Sequence, residues 1–266
     1  MTARTLSGNR AVHRESRAPL DRAATGPGGE RTGGSVWARG SRVPARQRRG
    51  GVMSHRNVVR ALLDRAGTTY AAEAGIRLDD KPAPLFQLLV LTDLLSARIS
   101  ADIAISATAE LMNSGYRTAR KMADADWQDL VDALGRGHYR RYDESTASQL
   151  GAAATTAVEK YDGDLRKLAD EADHDTGRAA ELIQEFKGIG PAGGDIFLRE
   201  VQDVWTWARP YFDERAVRGA AKVGLPTDRA ELARLAPRDR SAEFAAALVR
   251  IGIDDDAAND VRSATG

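Results

Sequence analysis

An all-α fold is what this sequence predicts, arranged as a two-lobed helical bundle with a central cleft. Three observations predict it. From residue 53 onward Ala, Leu, Glu and Arg dominate, apolar residues recur three and four positions apart, and the alternating pattern of a half-buried strand is nearly absent. At 266 residues and 42% hydrophobic content, the chain can bury a substantial core.

Taken in order, residues 1–52 hold eleven Arg and no Lys against Glu15, Asp21 and Glu30, with clustered Gly, Ser and Pro. Aliphatic periodicity is missing there, so this tail is expected to be disordered, or to precede the authentic start at Met53. A helix is expected from Ser54 to Ala66 (Val58, Val59, Leu62, Leu63). After a loop through Pro82 and Pro84, Leu85 to Ala97 is apolar on almost every side and belongs at the centre of the core. Ser100 reads as the N-cap of a helix to Asn113, and Asp126 as the cap of one carrying Trp127, Leu130, Val131 and Leu134. Asp143 opens a long helix to Tyr161 whose alanines at 152–154 and 157 suit close packing. A short helix lies within residues 162–173, and another starts at Thr176. Arg229 to Leu235 and Ala242 to Ile251 are amphipathic helices.

The most informative stretch is Leu182 to Val201. Leu182, Ile183 and Phe186 close one apolar helix face, and Lys187-Gly188-Ile189-Gly190 interrupts it with a tight glycine turn expected to use positive φ. Pro191 suits the first position of a new helix, which Ile196, Phe197, Leu198 and Val201 continue. Main-chain N–H groups at such a helix start have no intrahelical partner and can take up a phosphate oxygen. The small residues Ala192, Gly193 and Gly194 would let a nucleic-acid backbone approach. An αα-corner whose glycines merely cap and turn fits the same residues.

The order of parts in Gly188-Ile-Gly190, the helix to about Val201, the segment Trp205 to Phe212, then Asp213 followed by Arg215 and Arg218 resembles the helix-hairpin-helix DNA glycosylases, the superfamily that includes endonuclease III. Leu94-Leu-Ser-Ala-Arg98 is similar to that family's Leu-Leu-Ser-Ala-Gln segment, and Gly135-Arg-Gly-His-Tyr139 onward to its minor-groove loop. The likeness covers roughly Pro84 to Pro226, with a Gly190-to-Asp213 interval a few residues longer than the family's. It implies a base-excision enzyme that hydrolyses the N-glycosidic bond of a damaged or mispaired base in double-stranded DNA.

In that reading Asp213 is the catalytic carboxylate. Stabilised as the anion at a helix N-terminus, it would support an oxocarbenium-like sugar or position water. Phe212-Asp213-Glu214-Arg215 is equally what a plain N-capped helix looks like. Bifunctional relatives carry a lysine just after the glycine turn. Here Pro191 and Ala192 occupy that region, and Lys187 lies on the other side of the turn, so monofunctional hydrolysis is implied. DNA contacts would fall to Lys187, Gly188, Ile189, Gly190, Ala192 and Gly193 at the turn, with Arg215, Arg218 and Lys222 as a phosphate stripe. Arg98, His138 or Tyr139 would fill the gap left by a flipped base. The aromatic group Trp205, Trp207, Tyr211 and Phe212 is either core or the wall of a base pocket. The same residues also fit a noncatalytic helix-hairpin-helix DNA-binding protein, or a helical interaction protein.

With no cysteine, the chain can form neither a disulfide nor the iron–sulfur cluster that many such relatives hold; the scattered His13, His55, His138 and His174 suggest no zinc site, and no cofactor is expected. Taking the tail's +8 from the total of +1 leaves the rest at −7, so DNA binding would need basic residues gathered on one face. No run reaches a membrane-spanning length, and a cytoplasmic, nucleoid-associated monomer is expected.

Overall fold

The computed structural model describes residues 47–265, so the tail expectation for residues 1–46 lies outside the described residues. Among the described residues the chain is all-helical, without strands. In chain order the helices are α1 (Gln47–Ala66), α2 (Tyr70–Glu73), α3 (Pro82–Ser96), α4 (Ala101–Asn113), α5 (Ala119–Ala123), α6 (Trp127–Arg136), α7 (Asp143–Tyr161) and α8 (Arg166–Glu171). They continue with α9 (Thr176–Gln184), α10 (Pro191–Val201), a 3-10 turn (Thr206–Ala208), α11 (Glu214–Lys222), α12 (Arg229–Ala233), α13 (Ser241–Ile253) and α14 (Asp255–Thr265). Helix α1 runs from Gln47, ahead of the start at Ser54 expected from the sequence, and α2 and α14 are additions to the sequence reading.

The helices start where local chemistry favours it. Ser100 and Asp126 cap α4 and α6, each side-chain oxygen accepting from a first-turn amide, and Thr118, Asp175 and Asp228 do the same for α5, α9 and α12. Pro82 and Pro191 sit in the first turns of α3 and α10, where a missing N–H costs nothing.

Two apolar cores result, and the two ends of the described chain meet in one of them. The larger core is built from α2–α10 around α3, whose residues Leu85, Phe86 and Leu88 to Leu94 are all buried. The second is built from α1 and α11–α14: Val58, Val59 and Leu62 pack with Phe244, Leu248 and Val261. The expected two lobes are therefore discontinuous in sequence. Helix α10 joins them, packing on α9 and α3 in one lobe and on α13 in the other.

The second lobe is closed by a close crossing of α11 and α13 at Gly219, where a Cβ would stand 1.8 Å from the Leu248 carbonyl oxygen. No side-chain rotation relieves a clash with main chain, so Gly219→Ala must push two helices apart. We expect a loss of about 2–4 kcal/mol in urea unfolding, at the upper end of overpacking costs.

Candidate functional site

Three pieces of main chain meet around the glycine turn. Gly188 adopts φ +98°, which an L side chain rarely takes, whereas Gly190 stays at φ −102° as the N-cap of α10. The positive-φ requirement thus falls on Gly188 alone. Its carbon faces Asp93 of α3: an added Cβ would lie 2.6 Å from Asp93 Oδ1 and 2.8 Å from Gln149 Oε1. Lys187, Gly188 and Ala192 are exposed, and among the described residues the amides of Gly190 and Ala192 have no main-chain or side-chain acceptor. The turn therefore offers outward-pointing donors at the positive end of an eleven-residue helix.

Two of the expected contact residues face inward instead. Ile189 is buried in the larger core, so only its backbone belongs to the turn. Gly193 is buried too, and a Cβ there would meet Ile189 Cγ2 at 2.5 Å and Ser96 Oγ at 2.7 Å. Its smallness, like that of Gly194 against Ala180, serves helix packing rather than nucleic-acid approach.

The turn opens onto a cavity of about 420 Å³ lined by Asp93, Arg98, Tyr139, Tyr142, Gln149 and Gly188 among others. The structure thus brings the turn, the end of α3 and the loop before α7 to one place. Arg98 and His138 are exposed, and Arg98 lines this cavity. Tyr139 is buried instead, and its hydroxyl accepts from Thr146 Oγ1 at 3.0 Å, so it supports the loop and cannot enter a duplex. The exposed aromatic lining this cavity is Tyr142, held at φ +70° with the Arg141 guanidinium over its ring. Positive φ at both His138 and Tyr142 is a backbone cost that such loops carry where side-chain direction matters.

A second cavity, of about 430 Å³, lies in the cleft between the lobes. Leu95 and Ile99 line it, whereas Ser96, Ala97 and Arg98 line the first, so this short segment separates the two. Its other walls come from Tyr70, Ile196 and Val249 and from three arginines, Arg199, Arg215 and Arg218, with no carboxylate-bearing residue among those lining it. Arg215 and Arg218 are exposed. Lys222 departs from that stripe: it bonds Asp255 Oδ1 at 2.7 Å and does not line the cleft.

Asp213 is the main correction. Its Oδ1 accepts from Ala216 N–H at 2.9 Å, which makes it the N-cap of α11. Its Oδ2 accepts from Arg199 Nη1 at 2.5 Å in an ion pair whose side chains are 2% and 1% exposed. Both oxygens are engaged, and Arg199, not Asp213, is presented to the cleft cavity. In this arrangement the carboxylate holds the start of α11 and neutralises a buried arginine, and it does not line the cleft cavity. Arg199 lies fourteen residues from Asp213 on another helix.

The polar seam continues along α10. Glu200 Oε2 accepts from Ala71 N–H at 2.9 Å, and burial raises the Glu200 carboxyl above its usual range despite the nearby Arg199. Asp203 accepts from the amides of Ser241 and Ala242 at the start of α13. Within the aromatic group Trp205 and Phe212 are core, packing on Phe197 and on Phe244, whereas Trp207 and Tyr211 are half-buried against it, Trp207 stacked on Trp205 and the Tyr211 hydroxyl donating to Asp195 Oδ1 at 2.5 Å. None of these four lines the cleft cavity.

Among the described residues no group of His, Asp and Glu is placed to hold a metal ion, and no helix is long and apolar enough to cross a membrane. The site and its frame thus define a two-lobed, all-helical protein with a glycine turn beside one cavity and an arginine-lined cleft beside another. No protein-family model matches the sequence, and no curated protein matches it. A solved structure described as a trapped endonuclease III–DNA covalent intermediate in an estranged-adenine complex is similar at 16% identity, covering 73% of this chain and 84% of that one with a TM-score of 0.40.

Proposed function

We propose that this chain binds double-stranded DNA through its helix-hairpin-helix unit. The observation that carries the reading is the turn itself: the unpartnered amides of half-buried Gly190 and exposed Ala192 at the start of α10, with exposed Lys187 beside them. One DNA phosphate fits such a set of donors. Arg98 lines the turn's cavity, and Arg215 and Arg218 add positive charge at the adjoining cleft, which answers the acidic balance of the chain beyond its tail. Asp213 in this reading is structural, and the chain binds without excising.

Anisotropy titrations of a labelled duplex over a range of salt concentrations test this. Affinity should fall steeply with salt. Replacing Arg215 and Arg218 together by Gln should make the slope of log affinity against log salt shallower by about 1 for each phosphate that is no longer neutralised. Absence of duplex binding at low salt would end the proposal.

One observation favours a second reading, hydrolytic excision of a damaged base by a monofunctional enzyme. Asp213 lies directly behind Arg199, which walls a cavity in the cleft. Excision would require Arg199 to release the carboxylate when DNA binds. Release of free base from a panel of damaged duplexes, without strand breaks and without borohydride trapping, would establish it; Pro191 and Ala192 offer no amine for a Schiff base.

A further inference from the structure

We propose that the cavity between the glycine turn and the loop preceding α7 is a nucleobase pocket, in which Asp93 and Gln149 receive the N–H donors on the edge of an extrahelical guanine.

Asp93 has no role in the frame that explains it. It is the one charged residue of α3, a helix buried on nearly every side, and its side chain is buried at the bottom of the cavity. Oδ2 has no hydrogen-bond partner, and among the described residues neither oxygen accepts from any donor. A buried carboxyl left unpaired costs more than a leucine of the same shape would. Burial alone lifts this carboxyl to about 7. A group kept at such a cost, facing a cavity, is suited to a ligand.

The walls narrow the ligand's chemistry. Gly188 must lack a side chain for two reasons that coincide: its φ of +98°, and a Cβ position only 2.6 Å from Asp93 Oδ1 and 2.8 Å from Gln149 Oε1. The bare α-carbon lets the turn close against both acceptors, which therefore stand side by side on the cavity wall. A group that meets both needs two adjacent N–H donors in one plane, which the N1–H and N2–H edge of guanine supplies; the thymine edge supplies one. Tyr142, half exposed at the rim with Arg141 over its ring, provides a face on which a base can stack, and Arg98 provides charge for its phosphate. The volume of about 420 Å³ is within the range small-ligand sites occupy. The choice of a base rests on the proposed DNA binding, because the turn that would hold a phosphate is also the pocket's wall.

The test uses the full chain in two arms. In the first, affinity is measured for a perfectly paired duplex and for duplexes with one bulged guanine or one bulged thymine. The expected result is a preference for bulged guanine over paired DNA of about tenfold or more, as two hydrogen bonds to a buried acceptor would give. Asp93→Leu should abolish that preference, with thermal melting used to show that the variant is folded. In the second arm, free guanosine is titrated into the protein and followed by amide NMR. Shifts at Gly188 and its neighbours, absent in Asp93→Leu, support the pocket even if no duplex binds, in which case the DNA-binding reading alone falls. Equal affinity for bulged and paired DNA together with no response to guanosine overturns the pocket. So does a guanine preference that survives in Asp93→Leu.

Discussion

Asp213→Asn should lower the stability of this protein by about 3–5 kcal/mol in urea unfolding, the loss expected when one member of a buried ion pair is removed. Asparagine is as good an N-cap as aspartate, so the start of α11 keeps its hydrogen bond to Ala216 N–H, while the amide nitrogen that replaces Oδ2 cannot accept from Arg199, and the measured loss reports the ion pair rather than the cap. What remains is an arginine 1% exposed, with its Nε already lacking a partner. Pairing the change with Arg199→Met removes both charges at similar volume. The double variant should recover to within about 1 kcal/mol of the native chain, since buried pairs gain little over well-packed apolar replacements. If Asp213→Asn leaves stability unaltered, the pair is not formed in solution and the carboxylate is available to the cleft. The same series governs any base-release assay. Activity lost in Asp213→Asn would reflect unfolding as readily as chemistry, whereas the folded double variant separates the two.

The frame is legible in the sequence because helix starts are local. Ser100, Asp126, Asp143 and Pro191 mark the starts of α4, α6, α7 and α10 within a residue or two, since caps and first-turn prolines act on amides at most three positions away. The glycine turn is legible for the same reason. The ion pair is not, because Arg199 sits inside an apolar-periodic helix and meets Asp213 only when α10 and α11 fold against each other. A capping aspartate reads the same whether its second oxygen faces solvent, a sugar or a guanidinium. Gly193, Gly194 and Tyr139 are misread through a related limit: small residues and aromatics beside a turn suit close packing and ligand approach equally, and only three-dimensional neighbours decide. Asp93 does leave a signal, as the single charge in the apolar run Leu85 to Leu95, and periodicity passes over it by assigning the whole helix to the core.

Asp93→Leu should stabilise the protein, and the size of the effect should depend on pH. The Asp93 carboxyl lies at about 7 in the folded chain, against 3.8 for an ordinary aspartate. Below about pH 4 it is protonated in both states and affects folding little. Between about 4 and 7 the folded state holds a proton that the unfolded state has released, so stability falls as pH rises through that interval. Above about 7 the full penalty is in place, about 4 kcal/mol at 1.36 kcal/mol per pKa unit. Leucine reproduces the branching of the carboxyl without the charge, so the variant should unfold at higher urea than the native chain, by a wider margin at pH 8 than at pH 4. A difference independent of pH would mean that the carboxyl is ionised in the fold and already partnered. Its expected penalty also predicts the direction of any ligand effect: a molecule that donates to Asp93 favours the carboxylate, so it should bind more tightly, and stabilise the chain more, at pH 8 than at pH 5.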